Sequence, residues 1–215
     1  MGPTLELQQV ALELNGVALL PEITATFAPG QLHVITGPNG AGKSSLLKVM
    51  LGLLPHRGRV LRNWAGKPTS IAYVPQQTAF EPSLPVTVAE FLQLGWTRWP
   101  FFLGRKNHLG PDMDAVLEEV GLAGKRHLRL GQLSGGERQR LLFARALQQN
   151  SNCWFLDEPM TGLDQPGQKL MTRKLQQLKA AGVTLLVVQH DPGWILENAD
   201  QTWRVEEGLH LEELA

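Results

Sequence analysis

The sequence has one cysteine, Cys153, which excludes an internal disulfide and favours a reducing compartment. It has no surplus of either charge: 20 Lys plus Arg stand against 20 Asp plus Glu. Phosphate-backbone binding leans on a basic surplus, so no nucleic-acid partner is expected, although a local basic patch is still compatible with the balance. Long apolar runs are missing too. The longest, such as Leu185 to Val188 and Leu51 to Pro55, fall far short of the ~20 residues of a spanning helix. Met1 to Val10 carries no basic region followed by an apolar stretch, so no secretory signal is expected. Internal repeats, low-complexity tracts and Ser/Gly-rich linkers are absent. A soluble, cytoplasmic-type protein is the expectation.

What is present is a chain of 215 residues, 43% hydrophobic and 19% charged, enough for one domain with an inserted subdomain. Gln31 to Thr36, Ile71 to Val74, Cys153 to Leu156 and Thr184 to Gln189 are short and almost continuously apolar. Strands buried on both faces of a parallel sheet have that pattern. Helical patterns lie between them, over Lys43 to Leu54, Met113 to Val120, Glu137 to Gln149 and Gln168 to Ala181. Alternation of strand and helix predicts an α/β sheet with helices on both faces. The stretch from about Gln77 to Gln132 lacks a convincing strand pair and reads as a helical insertion. A single domain is expected over 1–215, its core from about 1–80 and 150–215 and its helical subdomain from about 81–149.

The strongest local signal is Gly37-Pro38-Asn39-Gly40-Ala41-Gly42-Lys43-Ser44, followed by Ser45. It fits G-x-x-x-x-G-K-[ST], entered by a strand and left by a helix. Glycines let backbone N–H groups converge on an anion, and the helix start adds a partial positive charge. Lys43 is placed to reach the β- and γ-phosphates, and Ser44 to ligand Mg²⁺. This loop by itself indicates a nucleoside triphosphate and little more.

Farther on, Cys153-Trp154-Phe155-Leu156 ends in Asp157-Glu158-Pro159. Carboxylates at the C-terminal end of such a strand lie on the ligand edge of an open α/β sheet. Asp157 is the candidate for Mg²⁺, and Glu158 for orienting or deprotonating the attacking water. Without the phosphate loop the same pair would be an ordinary solvated strand end. His190 follows the next strand and reaches the same edge, where it is placed to contact the γ-phosphate or the water.

Leu133-Ser134-Gly135-Gly136-Glu137 opens a further helix, with Ser134 and Glu137 spaced as a capping box. Two glycines at a helix start also expose N–H groups to an anion. Ser134 lies only 23 residues before Asp157, which makes it hard for both turns to grip one nucleotide within one subunit. A head-to-tail pair, with each nucleotide between one subunit's loop and the other's Ser-Gly-Gly turn, resolves the difficulty.

Taken together, GPNGAGKSS, YVPQQ, LSGGERQR, FLDEP, TGLD and VVQHD resemble the ATPase subunit of ABC transporters, in the family's order and across nearly the whole chain. The resemblance implies a P-loop NTPase (RecA-like) core with an inserted helical subdomain, an ATPase using ATP and Mg²⁺. It implies that Gln76 links the γ-phosphate and Mg²⁺ to a membrane partner, and that Leu133, Ser134, Gly135, Gly136 and Glu137 form the signature that meets the opposite subunit's ATP. Asp164 would lie at the dimer contact, and His190 would hold the attacking water and γ-phosphate. The implied partners are a second copy of the chain or a related ATPase, an integral membrane permease, and an extracytoplasmic substrate-binding protein. The implied location is the inner face of the cell membrane.

Within that family the chain is most similar to the zinc/manganese importer group, with 33 residues between Lys43 and Gln76 and the stretches IAYVPQ and LPVTVAEFL. Haem, a metal chelate or an exported lipid remain alternative cargoes, because cargo touches the permease rather than this subunit. A monomeric P-loop kinase or GTPase would leave the Ser-Gly-Gly-Glu turn unexplained. Two departures stand out. Leu14 occupies the position where these ATPases usually stack an aromatic on adenine, and aromatic stacking is typically worth ~1 kcal/mol, so a weaker grip on the base is expected. The chain stops at Ala215, without the longer, sometimes His-rich extension of zinc importers. Trp96, Trp99, Phe101 and Phe102 make an aromatic segment after Gln76 that reads equally as a docking patch or as subdomain core.

Overall fold

A computed structural model describes residues 1–76, 85–94 and 112–212. The aromatic residues Trp96, Trp99, Phe101 and Phe102 lie outside that set. Nine strands and six α-helices are found among the described residues. They are β1 (Thr4–Leu14), β2 (Val17–Phe27), β3 (Leu32–Thr36), α1 (Lys43–Leu51), β4 (Arg57–Asn63), β5 (Ile71–Val74), α2 (Val88–Gln93) and α3 (Met113–Glu119). Then come α4 (Gly135–Leu147), β6 (Cys153–Asp157), α5 (Gln165–Ala180), β7 (Thr184–Val188), α6 (Pro192–Asn198), β8 (Gln201–Val205) and β9 (Leu209–Glu212).

Six strands form one sheet in the order β5-β6-β7-β3-β8-β9, parallel except for the β8–β9 hairpin. Its central strands bury both faces. Leu32, Val34, Trp154, Leu156, Leu185 and Val187 face one apolar cluster, while Ile35, Phe155, Leu186 and Val188 face the other. The first cluster takes in residues of α2, α3, α4, α5 and α6. The second is closed by α1 and by a separate antiparallel sheet of order β2-β1-β4. Every apolar position of these strands therefore has a packing partner, which explains their uninterrupted hydrophobic pattern.

The antiparallel sheet was not foreseen from the sequence. In β1 the alternation Leu5, Leu7 shifts to Val10, Leu12, because the register slips between Leu7 and Val10. Gln9 takes a left-handed backbone there (φ 51°). Such a bulge inserts a residue and breaks the period of two on which strand patterns depend. Pro21 sits in β2, an edge strand, where a missing N–H is tolerated.

Helix ends differ from expectation by a few residues. α1 stops at Leu51, capped by the Gly52 N–H on the Lys48 and Val49 carbonyls, rather than continuing to Leu54. α5 starts at Gln165, because Asp164 caps it from the Gly167 N–H at 3.0 Å. Between β5 and β6 the described residues hold α2, α3, α4, a 3-10 turn at Leu130–Gln132 and one isolated bridge, Thr87 to Arg129. α4 packs on β5 and α5 as well as on α2 and α3, so it belongs to both the sheet layer and the helical segment.

Candidate functional site

The strands β3, β5, β6 and β7 run parallel, so their C-terminal ends open on one edge. The phosphate loop leaves β3 there. Gly37 adopts φ 133°, and a Cβ at this position would collide with the Val205 carbonyl of β8. Only glycine lets the loop turn so close to the neighbouring strand. Lys43 is buried and its Nζ donates to the carbonyls of Gly37 (2.9 Å) and Pro38 (2.8 Å). The ammonium is thus held inside the loop of residues 37–45, where an anion seated on the N–H groups would meet it.

Two strands away, β6 delivers Asp157 to the same edge. It is 3% exposed, and its Oδ1 accepts from the Ser44 hydroxyl at 3.0 Å. Burial raises its pKa above the ordinary carboxylate range; the Ser44 hydrogen bond opposes that shift and the nearby Glu158 charge adds to it. Ser44 and Asp157 are oxygen donors, the kind Mg²⁺ takes, and their direct contact fits a shared cation.

Glu158 follows in a left-handed backbone conformation (φ 47°), its N–H bonded to the Val188 carbonyl at 3.1 Å. Such a conformation is costly for a non-glycine residue and clusters at functional sites. Its Oε2 accepts from Gln76 Nε2 at 2.7 Å and from Thr161 Oγ1 at 3.1 Å. Gln76 and Glu158, distant in sequence, therefore meet. Thr161 was not singled out from the sequence; its place three residues past Glu158 was the available signal. His190 lies at the end of β7 with an exposed side chain, and its N–H bonds the Gln189 amide oxygen at 2.8 Å.

The second glycine turn begins α4. Ser134 Oγ accepts from the Glu137 N–H (3.3 Å), and Glu137 Oε2 accepts from the Ser134 N–H (2.8 Å). Glu137 also pairs closely with Lys125, and its carboxyl is held down to about 2, by the Lys125 hydrogen bond first and the Ser134 N–H second. Leu133 is buried beneath the turn. No hydrogen bond from the Gly135 or Gly136 N–H is made among the described residues. Gly136 lies against the following loop, where a Cβ would stand 2.9 Å from the Gly162 carbonyl. Asp164, exposed, pairs with Arg140 of α4 at 3.5 Å. Leu14 ends β1 opposite Val17, half-buried against the second apolar cluster.

A groove of about 270 Å³ runs between β5, α2 and α4 and reaches Pro75, the residue before Gln76. Tyr73, Pro75, Phe91, Leu142 and Arg145 line it, with the Arg145 guanidinium 4.8 Å from the Phe91 ring centre. Burial first, and the Asp157 charge second, push the Tyr73 phenol up to about 12.

A phosphate loop on β3 facing a buried carboxylate on β6 defines a P-loop nucleoside triphosphatase. The ABC transporter family model matches residues 20–161, and the chain belongs to that family. It is 38% identical to a manganese transport system ATP-binding protein (MntB) of Listeria monocytogenes, over 87% of this chain and 80% of that one. Against a zinc import ATP-binding protein (ZnuC) of Saccharophagus degradans the identity is 37%, over 93% of this chain and 74% of the relative. A solved nucleotide-free ATP-binding cassette from an ABC transporter has the same fold, with a TM-score of 0.77 at 24% identity over 96% of this chain and 89% of that one. The chain is an ATP-binding subunit and an ATPase. No described helix is long and apolar enough to cross a membrane.

Proposed function

We propose that this chain hydrolyses ATP to drive import of zinc or manganese through a membrane permease. The observation that carries the catalytic part is the pair of contacts at one sheet edge, Ser44 to Asp157 and Gln76 to Glu158. The metal cargo rests on the manganese and zinc relatives.

ATP seats its phosphates on residues 37–45, and Lys43 exchanges the Gly37 and Pro38 carbonyls for phosphate oxygens. Ser44, Asp157 and Gln76 have the oxygen donors that would hold Mg²⁺, which would supply positive charge to offset the negative charge of the transition state. Glu158 accepts a proton from water as the water oxygen bonds to the γ-phosphorus. The bond to the leaving oxygen breaks, and ADP and phosphate result. His190 holds the water and γ-phosphate from the end of β7.

Two subunits sandwich each ATP head to tail, the Leu133–Glu137 turn of one closing on the nucleotide of the other, with Asp164 at their contact. The second subunit is another copy of this chain or a related ATPase. The groove between β5, α2 and α4 receives a segment of the permease; Pro75, which lines it, directly precedes Gln76 in the chain. The assembly works on the inner face of the cell membrane and receives cargo from an extracytoplasmic substrate-binding protein. The core of about 1–80 and 150–215 carries nucleotide, while residues 81–149 carry the signature and, with Tyr73 and Pro75 of the core, line the groove for the permease.

The test is zinc and manganese content in a deletion strain under chelator stress, complemented with the parental protein or with Glu158→Gln. Removal of a general base costs about 10²- to 10⁴-fold in rate, so only the parental protein should restore the missing metal. Unchanged metals would overturn the cargo and point to haem, a chelate or a lipid instead.

A further inference from the structure

Among the described residues, Glu158 makes two side-chain hydrogen bonds, both on the same oxygen. Gln76 Nε2 donates to Oε2 from the end of β5, at 2.7 Å, and Thr161 Oγ1 donates to Oε2 from the loop after β6, at 3.1 Å. With Oε2 pinned from two sides, Oε1 is the oxygen left to take a proton from water. The left-handed backbone of Glu158 aims the side chain, and the two donors fix its rotation.

Thr161 is itself held by the loop that carries it. The Thr161 N–H bonds the Glu158 carbonyl at 3.2 Å, and the Leu163 N–H bonds the Met160 carbonyl at 3.2 Å. One residue beyond Thr161, the Gly162 carbonyl lies against Gly136 at the start of α4. Two residues further, Asp164 caps α5 and pairs with Arg140 of α4. The hydroxyl that touches Glu158 thus rides on a short, hydrogen-bonded loop clamped at its far end to the helix bearing the Ser-Gly-Gly turn.

We infer that Thr161 is a positioning residue for Glu158, orienting the base through Oε2 and relaying to it the placement of the α4 turn. This rests on the assignment of Glu158 as the base. A positioning residue of this kind acts on turnover and leaves nucleotide binding alone, because Thr161 makes no contact with residues 37–45 among the hydrogen bonds of the structure.

The experiment is steady-state ATP hydrolysis by the purified protein carrying Thr161→Val, Thr161→Ser or Glu158→Gln, and Thr161→Val combined with Glu158→Gln. Valine keeps the shape and removes the donor; serine keeps the donor. Loss of one hydrogen bond to a charged carboxylate predicts a kcat lower by about ten- to a hundredfold with KM within about twofold. Thr161→Ser should restore most of the rate. On the residual activity of Glu158→Gln, Thr161→Val should have no further effect, since the group it positions is no longer a base. An unchanged kcat in Thr161→Val with an inactive Glu158→Gln would overturn the positioning role and leave the base standing. A fully active Glu158→Gln would overturn the base and this inference together. A Thr161→Val loss confined to KM, or one that serine does not rescue, would also overturn it.

Discussion

The chain has two glycine-bearing helix starts, and they differ in what satisfies them. α1 begins at Gly42 with no side-chain cap and no acidic residue in its first turn. Its opening carries a buried lysine instead. α4 begins with a complete capping box, and Glu137 neutralises both the turn and Lys125. A helix start without a cap is an anion site in its own right, because orphan N–H groups and the helix dipole remain unanswered. A capped start spends part of that capacity inside its own chain and offers only what remains, here the N–H groups of Gly135 and Gly136. In the proposed function this difference becomes a division of labour, with α1 binding a nucleotide alone and α4 adding to one held by another subunit.

Substitutions should separate the two. Lys43→Ala removes a charge-assisted contact, worth about 1.5–3 kcal/mol. ATP affinity of the single subunit should fall by roughly one to two orders of magnitude in equilibrium binding. Ser134→Arg should leave that affinity within about twofold while abolishing ATP-dependent dimerisation, read by sedimentation. Equal losses of affinity in both variants would erase the distinction.

A smaller effect concerns acid. Glu137 is held near 2, below the ordinary value of 4.5, by Lys125 and the Ser134 N–H. Below 4.5 the unfolded chain takes up a proton that the folded protein refuses, so the stability lent by this contact is complete above that pH and drains away as pH falls toward 2. Lys125→Met should lower Tm by about 2–4 °C near pH 7, since a partly exposed pair is worth up to about 1 kcal/mol. The gap between variant and parent should close as pH approaches 2. A gap independent of pH would assign the loss to packing rather than to charge.

Much of the six-stranded sheet was legible because β3, β6 and β7 are buried on both faces and read as plain apolar runs. β1 escaped notice for a physical reason: the bulge at Gln9 puts Leu5 and Leu7 out of phase with Val10 and Leu12. β4, with Arg57, Arg59 and Arg62, carries the charge of an edge strand rather than the pattern of a core one. At the site, the phosphate loop and Asp157 follow from local motif chemistry. The contact of Gln76 with Glu158 did not, since it depends on β5 pairing beside β6 across 82 residues. Nor did the clamp of Gly136 and Arg140 on the loop at Gly162 and Asp164, which only tertiary packing brings about.

The division of labour is tested most directly by mixing Lys43→Ala with Ser134→Arg, both in the Glu158→Gln background, which is expected to bind ATP and barely hydrolyse it. In a head-to-tail pair the mixture has one composite site that joins an intact phosphate loop to an intact Ser-Gly-Gly turn. Labelled ATP should be retained in dimers of the mixture and in neither variant alone. Retention by neither the variants nor their mixture, with the Glu158→Gln parent retaining ATP, would contradict the shared site and return both turns to one subunit.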